Sequence, residues 1–249
     1  MDIHFIGVGE SCDSQNGNTS IHVQASNDIC MLCDCGFSAA HTYFSFYDDP
    51  EQVDMVWISH FHGDHFFGIP LLLLRFLEMK RTKPLLIIGQ SGIENKILDA
   101  MDLAFPRFRS KLCYEVRFQE IEPEGVHEIF GLKLQSVQTL HSQRNLGLVV
   151  EDGEKKLYYS GDGRPTESVA DLVRDCDLAV HEAFRLDEEI HHHGSITGCL
   201  KLAQSSNIKK MALVHLERNF RQHQLDEILA FLAENPLLSL PVSGDRIHL

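Results

Sequence analysis

Six consecutive residues, His60-Phe61-His62-Gly63-Asp64-His65, set three imidazoles and a carboxylate side by side. Neutral imidazoles with a carboxylate suit zinc, or manganese, iron or cobalt, better than calcium or magnesium. On an extended segment successive side chains alternate, so His60 and His62 can face one ion together. A turn at Gly63 then lets Asp64 and His65 reach a second position. The plain alternative is a histidine-rich surface loop. Against it, the motif follows the apolar run at residues 53–58 and precedes a helix-like run, which makes it a strand-to-helix junction. His141, Asp162 and His215 each follow an apolar, strand-like segment, the position from which α/β folds project ligand-binding groups. Singly, each is more simply a surface or internally bonded side chain. Together with the first motif they supply seven ligands, enough for two ions that share Asp162.

The elements that must position these groups follow from periodicity. Residues 2–8, 19–24 and 29–33 read as strands joined by glycine-containing turns, an antiparallel start to a sheet. Residues 66–79 carry a broad apolar stripe, with Pro70 placed where a first helical turn tolerates it. A strand at 85–88 and a helix at 92–105 come next. Strands return at 114–121, 126–130, 133–138, 146–151 and 155–159, with Asp152-Gly153 as a hairpin turn. The remainder reads as helix 166–174, strand 178–181, helix 195–206, strand 211–214, helix 222–234 and a last strand within 240–247. Each half thus runs from strands into helices. Two facing sheets with helices outside satisfy that order, so the fold class is α/β.

Composition sets the bounds. At 249 residues with 43 % hydrophobic side chains and no linker, residues 1–249 are expected to form a single domain with a sizeable core. The start lacks a signal peptide's pattern and no apolar run approaches a membrane span, so a cytoplasmic protein without membrane contact is expected. Seven cysteines, an odd number, fit reduced thiols. Cys30-Met31-Leu32-Cys33-Asp34-Cys35 reads as a buried strand with cysteines as small hydrophobes, because no second cysteine pair completes a zinc site. A net charge of −14 counts against broad attraction to nucleic acid.

The motif from His60 to His65, with His141, Asp162 and His215, resembles the metallo-β-lactamase fold superfamily. Phe5-Ile6-Gly7-Val8-Gly9-Glu10, Phe66-Phe67-Gly68-Ile69-Pro70, Arg81-Thr82-Lys83-Pro84-Leu85, Tyr159-Ser160-Gly161-Asp162 and His181-Glu182-Ala183-Phe184 resemble its ribonuclease Z-like branch of tRNA 3′-endonucleases and phosphodiesterases. The resemblance implies a four-layer αβ/βα sandwich with two metal ions, zinc before manganese or iron, at one edge. It assigns His60, His62 and His141 to the first ion, Asp64, His65 and His215 to the second, and Asp162 to both. It places Asp64, His193 and Glu182 in the catalytic set. His193 would act as general acid, or as donor to the developing charge, with Glu182 orienting it. His181 is left a structural residue, and His191 and His192 a solvated pair.

Departures bear on the substrate. Bacterial members carry a long tRNA-gripping arm between the motifs of His141 and Asp162, whereas this chain has only 20 residues there. The serine and threonine that follow the acid histidine are altered to Gly194-Ser195-Ile196-Thr197. The expectation is therefore a dinuclear hydrolase of a phosphodiester: a small or cyclic nucleotide, or an RNA 3′ end, with tRNA disfavoured. A sulfate ester, lactone or thioester on the same metals is the alternative reaction, and a non-catalytic metal-binding scaffold the alternative of another class. The branch commonly dimerises, so a homodimer is expected.

Overall fold

The computed structural model describes residues 1–123, 125–187 and 190–249. The first half supplies β1 (Asp2–Gly7), β2 (Ser20–Gln24), β3 (Cys30–Cys33), α1 (Ala39–Phe46), β4 (Met55–Ile58), α2 (Gly63–Phe66), α3 (Ile69–Glu78), β5 (Leu85–Gly89), α4 (Ile93–Ala104) and β6 (Val116–Glu120). The second supplies β7 (His127–Ile129), β8 (Leu132–Gln138), β9 (Leu146–Glu151), β10 (Lys156–Tyr159), α5 (Glu167–Leu172), β11 (Leu178–Glu182), α6 (Ile196–Ser205), β12 (Met211–Val214), α7 (Arg218–His223), α8 (Leu225–Glu234) and β13 (Leu238–Ser239). A last strand, β14 (Arg246–His248), returns to the first sheet.

Among the described residues the strands form two sheets, β14-β1-β2-β3-β4-β5-β6 and β13-β12-β11-β10-β9-β8-β7. Each sheet is antiparallel where hairpins join its strands and parallel where helices cross over, from β3 to β6 and from β10 to β13. The side-chain period of two sorts each strand's residues. Phe5, Val23, Met31 and Trp57 of one sheet meet Leu148, Val150, Tyr159 and Val180 of the other. Their neighbours point outward. Leu32, Val56 and Ile87 pack under Tyr43, Leu72, Phe76 and Ile97, while Val149, Ala179 and Leu213 pack under Val169, Cys199 and Ile228. The result is the helix–sheet–sheet–helix sandwich that the sequence predicts.

Three details depart from the expected elements. The helix at 66–79 is two pieces, α2 and α3, because the chain turns at Gly68, whose N–H donates to the Cys35 carbonyl (2.8 Å). Pro70 sits in the first turn of α3, where its missing N–H costs nothing. The helix at 222–234 is likewise α7 and α8, broken at Gln224. Helix α1 was not legible, since it buries only Ala39, Ala40 and Tyr43 and shows no broad apolar stripe.

Arg81 gives the stretch Arg81-Thr82-Lys83-Pro84-Leu85 a structural role. It is fully buried and donates to the carbonyls of Pro50, Val53, Lys83 and Pro84, with its guanidinium 4.9 Å from the Phe76 ring centre. The charge is thus spread over carbonyl dipoles, which ties the loop before β4 to the start of β5. Cys30, Cys33 and Cys35 are buried free thiols, and burial pushes the Cys30 thiol up to about 11. They pack as small hydrophobes, as expected.

Candidate metal centre

Strand β4 delivers the motif to the sheet edge. His62 keeps an extended backbone (φ −76°, ψ 143°) and caps α2, so His60 and His62 point together, with His60 Nε2 3.0 Å from His62 Nδ1. The single helical turn then carries Asp64 and His65 to the other side. Gly63 is not in the left-handed region; it is glycine because a Cβ would lie 2.5 Å from the Phe37 ring and 2.7 Å from Phe67. Close approach, rather than a special turn, is what the position demands. A second contact fixes the motif from below, where a Cβ on Gly36 would fall 1.7 Å from the Asp64 carbonyl.

The second sheet adds one ligand per strand end: His141 after β8, Asp162 after β10 and His215 after β12. His215 has φ +59°, an unusual backbone for a non-glycine residue, and its N–H donates to the Val8 carbonyl at 2.8 Å. The structure brings all seven expected ligands together. Donor atoms of His60, His62, His141 and Asp162 lie within 4.8 Å of one another, as do those of Asp64, His65 and His215, and those of Asp162, His193 and His215. Asp162 is central: Oδ1 is 3.3 Å from His65 Nε2, and Oδ2 is 3.4 Å from His215, 3.8 Å from His141 and 3.9 Å from His60. Donors that share a tetrahedral ion at zinc distances lie about 3.3 Å apart.

Electrostatics agree with a cation. Burial lowers the pKa values of His60, His62 and His141, keeping them as the neutral imidazoles that ligate. Burial alone would raise Asp64, but the His215 and His65 imidazoles beside it hold it well below the carboxylate range. Burial is the largest influence on His65 and His215 and opposes their charge, yet the carboxylates together outweigh it: Asp162 with Asp34 lifts His65 far up, and Asp162 with Asp64 lifts His215 to about 9. Two buried carboxylates therefore demand positive charge, and protons on these imidazoles occupy the role a metal ion would take. His65 Nε2 and Asp162 Oδ1 are buried without hydrogen-bond partners among the described residues, which fits a pair of metal ligands. The His and Asp clusters fit divalent metal.

Asp34 escaped the sequence reading. It is fully buried, and its Oδ2 accepts from His65 Nδ1, Ser59 Oγ and Tyr159 OH, each at 2.7 Å, while Oδ1 accepts from Ser59 N at 2.7 Å. This fixes the His65 tautomer with Nε2 toward the cluster. The available signal was an acid closing the apolar run 30–35, where a buried carboxylate must have partners.

His193 is half-buried, stacked on Phe184 (4.6 Å, 23°) and 5.0 Å from the His141 ring. Its Nδ1 is 3.6 Å from Glu182 Oε1, too far for a hydrogen bond. That oxygen accepts instead from Gly163 N (3.0 Å) and Gly194 N (2.8 Å), so Glu182 clamps the backbones following Asp162 and His193. His181 is buried with Nδ1 2.8 Å from the Glu182 carbonyl, and the His192 carbonyl meets His141 Nδ1 at 3.0 Å. Above the cluster is a cavity of about 230 Å³ whose walls include Glu10, His141, His193 and Phe184. No lysine or arginine lines it among the described residues. Between His141 and Asp162 the chain forms only the β9–β10 hairpin.

The sequence profile of the family described as Anti-Pycsar protein Apyc1 matches residues 1–235. The chain belongs to that family. This member of the Apyc1 family is also 26 % identical to a ribonuclease Z of Methanosarcina acetivorans, over 274 aligned positions covering 88 % of each chain. That alignment is longer than the 249-residue chain, so the relative carries segments missing here. In fold it is similar to human tRNase Z, short form (TM-score 0.79, 20 % identity, covering 100 % of this chain and 99 % of that one). It is also similar to the metallo-β-lactamase fold protein YhfI of Bacillus subtilis (TM-score 0.77, 19 % identity, 99 % and 98 %). The Apyc1-family chain thus has the ribonuclease Z-like metallo-β-lactamase fold. No described helix is long and apolar enough to cross a membrane.

Proposed function

We propose that residues 1–249 act as one metal-dependent phosphodiesterase domain whose preferred substrate is a small phosphodiester, cyclic or linear. The observation that carries this reading is the Asp162 carboxylate set among His60, His65, His141 and His215 within 3.9 Å. Two divalent ions, zinc before manganese or iron, would be held by His60, His62 and His141, by Asp64, His65 and His215, and by Asp162 between them. When bound, such ions supply Lewis acidity and activate water for attack on phosphorus. The chain's own residues do the rest. His193 holds a proton at its imidazole for the leaving oxygen, and stacking on Phe184 keeps the ring aimed inward. Glu182 acts through the two backbone amides it clamps rather than by touching the imidazole.

Small size and single charge follow from the cavity. At about 230 Å³, with Glu10 on its wall and no lysine or arginine among its described lining, it suits a monoanionic diester better than a polyanion. An RNA 3′ end ranks second. The relatives named ribonuclease Z support phosphodiester chemistry, while the short β9–β10 hairpin and the charge of −14 weigh against a tRNA grip. A cytoplasmic homodimer completes the proposal, and light scattering that returns a monomer refutes that part. The direct test is turnover of bis(p-nitrophenyl)phosphate and of cyclic nucleotides by metal-loaded protein, alongside a pre-tRNA. Inertness toward every phosphodiester sinks the reading, and cleavage of pre-tRNA alone reverses the order of substrates.

A further inference from the structure

A second cavity, of about 480 Å³, lies where the loop at 13–16, helices α7 and α8 and the segment 240–242 meet. It shares no lining residue with the metal cavity. Its volume falls in the roughly 300–1,000 Å³ of small-molecule sites. One side is apolar. Leu225 and Leu229, four residues apart on one face of α8, are 41 % and 48 % exposed, and Val242 is 50 % exposed. The other side carries two guanidiniums, Arg218 and Arg221, three residues apart on α7.

Arg221 is the telling residue. It is only 7 % exposed, its Nη2 donates to the Pro241 carbonyl at 2.8 Å, and its Nη1 is buried with no hydrogen-bond partner among the described residues. A desolvated guanidinium nitrogen without an acceptor is a standing cost, of the kind a protein keeps where a ligand supplies the missing oxygen. The acid on the wall does not fill the role. Asp13 accepts from Gln15 N (2.9 Å), Asn16 N (3.0 Å) and Asn16 Nδ2 (2.7 Å), and no hydrogen bond joins it to Arg221 among the described residues. Arg218 meanwhile pairs with Glu10.

We propose that this cavity binds an anionic small molecule with an apolar body, its acid group on Arg221 and Arg218 and its hydrocarbon along Leu225, Leu229 and Val242. Recession decides against a second copy of the chain as the occupant. A guanidinium only 7 % exposed, behind the apolar rim of Leu225, Leu229 and Val242, calls for a slender anion rather than a broad protein face. The inference does not depend on the hydrolase reading.

The test is a titration of the full-length, metal-loaded protein with anilinonaphthalene sulfonate, followed by displacement with decanoate. Saturable, one-to-one fluorescence enhancement reversed by decanoate is expected, with decanol binding about tenfold more weakly or worse. Leu229→Asp, at an exposed position, should weaken both anions about tenfold while the circular dichroism spectrum and metal content stay unchanged. Arg221→Met should erase the preference for decanoate over decanol; if that variant does not fold, the wild-type preference and Leu229→Asp decide. Absent saturation, equal binding of decanol and decanoate, or an unaltered Leu229→Asp titration overturns the site. A fall from dimer to monomer on Leu229→Asp, with anion binding lost, reassigns the face to a second copy and overturns it too.

Discussion

The two sheets reach the metal cluster by different routes. The first sheet spends one junction, between β4 and α2, on four candidate ligands, whereas the second sheet spends three strand ends on three. In the first case local backbone conformation sets the spacing, because an extended pair and one helical turn suffice. In the second, the register between β8, β9, β10, β11 and β12 sets it, so the ligands' positions depend on the packing of the whole sheet. Ligands from a single turn are robust to distant change and sensitive to local crowding. Ligands from separate strands are the reverse.

Asp162→Ala gives the largest effect expected, because it removes the group nearest to both halves. Turnover of a phosphodiester should fall about a thousandfold or more, and metal content measured by plasma mass spectrometry should drop with it. If His62→Ala, confined to the first-sheet group, costs as much in both readouts, the central place given to Asp162 is wrong. Asp34→Asn comes next. It leaves the His65 ring in place but weakens the acceptor that fixes its tautomer, so metal affinity measured by chelator competition should fall about 10–100-fold. An unchanged affinity would mean that the turn alone positions His65.

Gly63→Ala tests local crowding. The new methyl must displace both Phe37 and Phe67, which are 55 % and 48 % exposed and have room to swing away, so the cost in denaturant unfolding should be about 1 kcal/mol. A neutral outcome would show the aromatic pair to be yielding. A pH dependence calibrates the histidines. His22 of β2 takes no part in the clusters; burial, with help from His4 and Arg246, holds its pKa down to about 4. An unfolded histidine titrates near 6.5. Between those values the unfolded chain binds the extra proton, so this contribution is intact above about pH 6.5 and is lost as pH falls toward 4, by at most about 3 kcal/mol. His22→Asn should flatten that acid slope of stability, and an unaltered slope would move the sensitivity to the cluster itself.

Legibility in the sequence followed the same divide. The motif at residues 60–65 could be read directly because its geometry is local. His141, Asp162 and His215 could be read only after their strands had been recognised: β10 and β12 stand out because both faces are covered and nearly every residue is buried, β8 by its partial alternation of buried and open positions. Asp34 and the clamp made by Glu182 were harder. Asp34 meets Tyr159 of the opposite sheet and Glu182 meets the amides of two separate loops, at Gly163 and Gly194, and no periodicity encodes such pairs. Helix α1 and the breaks at Gly68 and Gln224 were missed because tertiary contacts, not propensity, set them.

The pairing of β14 with β1 sets residue 2 opposite residue 248, while the Val8 carbonyl waits for the amide of His215. Synthesis runs the other way, from the first strand to the last. A nascent chain therefore carries the whole 60–65 motif long before either partner has been made, with β1 as a bare sheet edge. Completion of the metal cluster is a late event in the life of the chain, and the interval before it is when the polypeptide is most open to aggregation and to help from a chaperone.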